Sequence, residues 1–232
     1  MGMYAIPFAV DILKAKNVFG CKDHDLFEKI KTADLYEHYA NPDFFSGTEY
    51  AYNFDEILKD IIFNYVKPEN RTAPEAKPTR NFWGFKKPSP TITSPSGLNK
   101  NMGHAYGYVL LVICDYLGEH LLPFCDGFYY GRDWEEAVSI IEAKGIQINL
   151  SDMFEVHQVF DIPQINDFPA IYCYSKKDIN HINAVMDKVD IDEAKTDFDN
   201  DEFDEVQDML KNIRESFKRC QAMDVEMIVF TH

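Results

Sequence analysis

Val225-Glu226-Met227-Ile228-Val229-Phe230-Thr231, near one end of the sequence, has a counterpart near the other in Tyr4-Ala5-Ile6-Pro7-Phe8-Ala9-Val10. Both are short runs rich in aliphatic and aromatic residues, and both read as strands. Between them the pattern is mostly helical. Short helices are expected over 11–18 and 23–31, separated by Gly20, with Leu26, Phe27 and Ile30 forming a one-sided apolar face on the second. A stronger helix is expected over 54–66. Asn53 caps it, Glu56 returns the capping-box bond, and Pro68 stops it. Further helices are expected over 103–122, closed by Pro123, and over 133–144, stopped by Gly145. Ser175 with Asp178 opens another that reaches about 189, and a long one runs from 201 to 223. Ala170-Ile171-Tyr172-Cys173-Tyr174 reads as one more strand, buried on its composition. Strands at both ends with helices between them meet in one sheet. The expected class is therefore α+β, with helices packed around a small sheet that includes both the N- and C-terminal strands, and with residues 1–232 as a single domain.

Composition narrows the function classes. Of 232 residues 46% are hydrophobic, and 18 Phe, 13 Tyr and 2 Trp supply core material that excludes a collagen, a coiled-coil rod or global disorder. With 39 acidic against 23 basic residues the formal charge is −16, which repels nucleic-acid phosphates and attracts basic partners. The longest apolar run, Tyr106 to Cys114, stops at Asp115, far short of a bilayer span, so no membrane role is expected. The start, Met1 to Asp11, lacks the basic segment of a secretory signal. Five scattered cysteines without a CxxC pair suggest neither a zinc site nor a disulfide framework. The expected setting is cytoplasmic, with no cofactor and no metal.

Residues 67–101 differ in kind, holding six of the eleven prolines and seven basic against two acidic residues. They read as a proline-rich basic loop or insertion. Its aromatic knot, Phe82-Trp83-Gly84-Phe85, either folds back to pin the loop or forms a partner-binding patch, with Phe82 and Trp83 as the candidate residues.

Two segments carry candidate chemistry. Gly103-His104-Ala105-Tyr106-Gly107-Tyr108 opens the most apolar helix. At 100° per residue, His104, Tyr108, Asp115 and Glu119 fall within about a 60° arc, a stripe that could line a cleft or simply face solvent. His104 and Asp115 stand about 16 Å apart along the axis at 1.5 Å per residue, so they cannot touch. Gly107 costs roughly 1 kcal/mol against Ala inside a helix, so close packing or ligand approach is expected there. The second segment, Asp187 to Asp208, contains eleven acidic residues and two lysines. Asp197, Asp199 and Asp201 mimic half a calcium loop, but Glu202 replaces the turn glycine and Asp208 the bidentate glutamate. A solvated helix start and docking surface is the reading that remains.

Three features resemble a group of uncharacterised bacterial proteins classed as a domain of unknown function, distantly akin to the YfbM-like family. They are Met1-Gly2-Met3-Tyr4, His104-Ala105-Tyr106-Gly107-Tyr108, and Asp167-Phe168-Pro169-Ala170-Ile171. The resemblance covers the chain apart from the proline-rich loop. It implies a bacterial cytoplasmic α+β protein and brings no catalytic residue with it.

The expected function is that of a non-enzymatic protein-interaction domain, immunity- or antitoxin-like, binding a basic partner through Asp197, Asp199, Asp201, Glu202, Phe82 and Trp83. The alternative is a small-molecule binder or hydrolytic enzyme with a cleft around His104, Tyr106, Gly107 and Tyr108.

Overall fold

The computed structural model describes residues 4–43, 46–48, 50–71, 95–123, 132–145, 150–155, 157–166, 168–191 and 200–231. β1 (Ala5–Val10) leads directly into α1 (Ile12–Val18), because the Asp11 carboxylate accepts from the amides of Leu13 and Lys14. Asp23 caps α2 (His24–Ile30) through the Leu26 amide, α3 (Tyr36–Tyr39) is a single turn, and Asn53 caps α4 (Phe54–Lys59) through the Glu56 amide. Each of these side chains meets first-turn N–H groups that have no carbonyl partner within the helix. The helix expected over 54–66 changes pitch after Lys59. It widens into a π turn, Asp60–Asn64, closed by the Tyr65 amide on the Asp60 carbonyl.

The helix expected over 103–122 is shorter. α5 (Gly103–Leu117) ends at Gly118, and Glu119–His120 form β2, an edge strand. The cause is close approach: a Cβ on Gly118 would lie 2.4 Å from the Ala9 carbonyl oxygen. The chain there runs against β1 and pairs with it instead of adding another helical turn. α6 (Arg132–Glu142), a 3-10 turn at Leu150–Phe154, β3 (Ala170–Tyr174), α7 (Lys176–Met186), α8 (Asn200–Met223) and β4 (Glu226–Thr231) follow. Ser175 and Asp178 make the anticipated capping box at the start of α7.

The sheet is antiparallel throughout, in the order β2-β1-β4-β3. Both terminal strands are interior and pair from Ala5↔Thr231 to Val10↔Glu226. The fold is α+β, with eight α-helices among the described residues and a four-stranded sheet that includes the strands from both ends.

Alternation along the strands sorts the core into two layers. Phe8, Val10, Ile171, Ile228 and Phe230 face one cluster, with α1, α2, α4 and α5. Ala5, Ala9, Tyr174, Met227 and Val229 face another, with α6, α7 and α8. Both faces are therefore covered, and Met227 through Phe230 are all fully buried. This explains why β4 reads as a continuous apolar run and not as the alternating pattern of an antiparallel sheet with one wet face. Burying a side chain the size of Phe8 or Phe230 contributes roughly 2–3 kcal/mol.

The two stems of the proline-rich stretch meet, with the Val66 amide donating to the Ser96 carbonyl at 2.8 Å. Phe82 and Trp83 lie outside the described residues. So do Asp197 and Asp199, and the side chains of Asp201 and Glu202 in the first turn of α8.

Candidate functional site

α5 is apolar on nearly every side because it is enclosed on nearly every side. It packs on the sheet and against α1, α2, α3 and α4, and every residue from Ala105 to Cys114 is buried. A helix apolar all round is a buried helix. Tyr108 accordingly does not belong to a wet stripe. It is only 5% exposed, and its ring stacks on Tyr39 at 5.3 Å. Tyr106 lies about 200° around the helix from His104. Its hydroxyl accepts from the Asn99 amide (3.0 Å) and donates to Asp60 Oδ2 (2.9 Å), which ties the start of α5 to the π turn. Burial raises its pKa well above the ordinary phenol range, so it stays a proton donor at neutral pH.

His104 is half-buried, and its Nε2 lies 3.1 Å from the Tyr50 carbonyl oxygen. A carbonyl only accepts, so Nε2 carries the proton. The ring meets Tyr50 and Tyr52 edge-on at 5.3 and 6.1 Å. Burial lowers the His104 pKa, and the carbonyl contact offsets this in part. A pocket of about 290 Å³ opens beside it, lined by Tyr50, Lys100, Asn101, His104, Gln164 and Asn166.

The structure does not gather the anticipated cleft. His104 reaches this pocket, whereas Tyr106 and Tyr108 are committed to packing. Gly107 faces the 165–169 segment: a Cβ there would meet Pro169 Cδ and Cγ at 2.9 Å and Ile165 Cδ1 at 3.0 Å. Of the two reasons for a helical glycine, close packing is the one that applies. The carboxylates of the stripe are engaged elsewhere as well. Asp115 accepts from the Leu35 amide at 2.9 Å, and Glu119, carried on β2 and not on the helix, pairs with Arg219 through two bonds of 2.8 and 2.6 Å. Helical spacing reports angle, but not what is packed at that angle: Tyr108 is enclosed, whereas the Glu119 side chain keeps 40% of its surface exposed.

Two of the larger concavities among the described residues lie elsewhere. One, of about 770 Å³, sits at the β2 edge, lined by Ile6, His120, Leu122 and the Glu119–Arg219 pair among others. The other, of about 540 Å³, lies over Phe19, Tyr65 and Phe160. Beside it is a group that sequence reasoning missed: the Tyr65 hydroxyl donates to Asp161 Oδ2 at 2.6 Å, and Arg71 pairs with the same carboxylate. These residues are up to 96 positions apart and carry no motif, so no local signal could have joined them. Burial pushes the thiols of Cys173 and Cys220 up to about 12 and that of Cys114 higher still, as suits core packing and not nucleophilic chemistry. Among the described residues no group of three or more His, Cys, Asp or Glu could hold a metal ion, and no helix is long and apolar enough to cross a membrane.

Fold and site together define an α+β domain with a doubly covered antiparallel sheet, a deeply enclosed central helix, and a polar pocket at that helix's first turn. The chain belongs to the family described as Domain of unknown function (DUF7691), which matches residues 94–232. No curated protein and no solved structure matches the chain. The matched segment holds α5 to α8, β2, β3 and β4, while β1, the strand between β2 and β4, precedes it.

Proposed function

We propose that this chain is a non-enzymatic protein-interaction domain of the bacterial cytoplasm, distantly related to YfbM-like proteins, that binds a basic partner as an immunity protein or antitoxin does. The observation that carries this reading is charge. A formal −16, of which the 187–208 stretch holds the densest part, attracts a cationic protein and speeds its encounter at low salt. Asp187, Asp190 and Asp208 are exposed, so the described carboxylates of that stretch face solvent and not the core. The same charge disfavours nucleic acid, and the reading requires no membrane, metal or cofactor. Engagement of Tyr106, Asp115 and Glu119 in structural bonds adds support, since it removes those groups from proton-transfer work.

The test is capture on the tagged full chain from its source cells at low and high salt, followed by reassembly from purified components. The expected result is a basic protein whose association rate falls steeply as salt rises. Absence of any partner at either salt removes the reading.

A second reading, a small-molecule or hydrolytic site at His104, is favoured by the neutral, half-buried imidazole beside the Gln164 and Asn166 amides. It requires His104→Ala to abolish binding or turnover of a small molecule while leaving capture of the basic protein intact.

A further inference from the structure

Phe19, which ends α1, meets Tyr65 edge-on at 5.1 Å and lies nearly parallel to Phe160 at 5.9 Å. These rings are buried, at 4%, 8% and 3% exposed, and the small area they leave uncovered forms the apolar floor of the 540 Å³ cavity. The wall around Phe160 is held in place by Gln158, whose amide donates to the carbonyls of Phe160 and Ile162 at 2.6 and 2.7 Å. Lys16 stands on one side, its ammonium 5.9 Å from the centre of the Phe160 ring, and Lys67 lines the cavity as well.

The charge count there runs against the rest of the molecule. Asp161 is neutralised by Arg71 and accepts a hydrogen bond from the Tyr65 hydroxyl. Glu69 is then the remaining carboxylate in the lining, opposed by Lys16 and Lys67. Among the described residues neither lysine has an ion-pair partner, in a chain with 39 acidic side chains to choose from. The cavity thus carries about one net positive charge over an aromatic floor. Its volume falls within the roughly 300–1,000 Å³ of ordinary small-molecule sites.

We propose that this cavity binds a small planar aromatic carboxylate, its ring packed on Phe19, Tyr65 and Phe160 and its carboxylate set between Lys16 and Lys67. One uncompensated positive charge matches a singly charged carboxylate, whereas a phosphate dianion would be left half-neutralised. A neutral aromatic would satisfy the floor and leave both ammonium groups unanswered. The site is separate from the His104 pocket and does not depend on the partner proposed above.

The probe is salicylate, titrated into the full chain by its own fluorescence and by calorimetry, with salicylamide as the uncharged comparison. Saturable one-to-one binding is expected, with the amide weaker by about tenfold, the order of one lost charge-assisted contact. Lys16→Gln with Lys67→Gln should weaken salicylate by about tenfold or more and leave salicylamide unchanged. Lys211→Gln with Lys218→Gln, on α8, should leave salicylate binding intact. Amide shifts in the unsubstituted protein should concentrate at Asn17, Phe160 and Asp161, which locates the site without any variant. The proposal is overturned by absence of saturable binding, by equal affinity for salicylamide, by equal loss in the α8 variant, or by shifts that cluster elsewhere.

Discussion

Gly107→Ala isolates the close packing of α5 against the 165–169 segment. Two effects oppose each other. Within a helix, Ala is better than Gly by about 1 kcal/mol, so at an open position the substitution would stabilise. Here the new methyl would stand 2.9 Å from two atoms of the Pro169 ring and 3.0 Å from Ile165 Cδ1. The Ile165 tip can turn away. The proline ring cannot, being closed onto the backbone immediately before β3. Overpacking of this kind costs about 1–3 kcal/mol. The net expectation is a loss of about 1 kcal/mol, or roughly 3 °C in Tm for a chain of this size.

Gly103→Ala provides an internal scale. Its Cβ would fall 2.2 Å from the Gln164 carbonyl oxygen, a backbone atom, and position 103 begins the helix, where the propensity gain is smaller. It should therefore lose more than Gly107→Ala. Urea unfolding of the full chain followed by circular dichroism, with calorimetry for Tm, measures both. A Gly107→Ala chain more stable than its parent, or a Gly103→Ala chain less affected than Gly107→Ala, would falsify the packing argument.

The remaining predictions concern protonation and the central strand. Burial lowers the His104 pKa below its ordinary 6.5, so as pH falls through 6.5 the unfolded chain takes up the proton first and stability declines. Unfolding at pH 7.5 and 5.5 should show a smaller pH penalty in His104→Gln than in the parent, and identical penalties would contradict the burial of this ring. Residues 94–232 expressed alone should fail to unfold cooperatively, because Ala5, Phe8 and Ala9 of β1 are fully buried between β2 and β4. Adding residues 1–93 as a separate chain should restore a cooperative transition, and a sharp transition in the shorter piece by itself would refute the role given to β1.

Much of the local structure was legible. Asn53 and Ser175 announce their helices because a short polar side chain before an amphipathic run has one physical use, to meet orphan N–H groups. β1, β3 and β4 show themselves by composition. β2 does not: Glu119 and His120 follow a long apolar helix, and only their pairing with Ala9 and Phe8 of β1, beside which Gly118 leaves no room for a side chain, makes them a strand. The site was legible only in part. Gly107 is the position where close packing or ligand approach is expected, and Pro169 packs against it, while His104, expected in a cleft or facing solvent, lies half-buried beside the polar pocket. Tyr106 and Tyr108 were assigned to a cleft because a tyrosine carries a hydroxyl, yet one ring buries that hydroxyl on Asp60 and the other stacks on Tyr39. The Tyr65–Asp161–Arg71 group left no trace, since its members come from distant parts of the chain.

By itself the sequence determined the strand-forming ends, the capped helices between them, the acidity, and the lack of a known catalytic motif. Those properties depend on composition and on spacings of a few residues, where backbone geometry leaves few choices. Tertiary structure alone decided that β1 lies between β2 and β4, that both faces of the sheet are covered, and which aromatic side chains remain near solvent. Such outcomes depend on contacts between residues tens to hundreds of positions apart. A strand's period of two fixes which side chains share a face, but only the packed neighbours decide whether that face meets water or another layer of the protein.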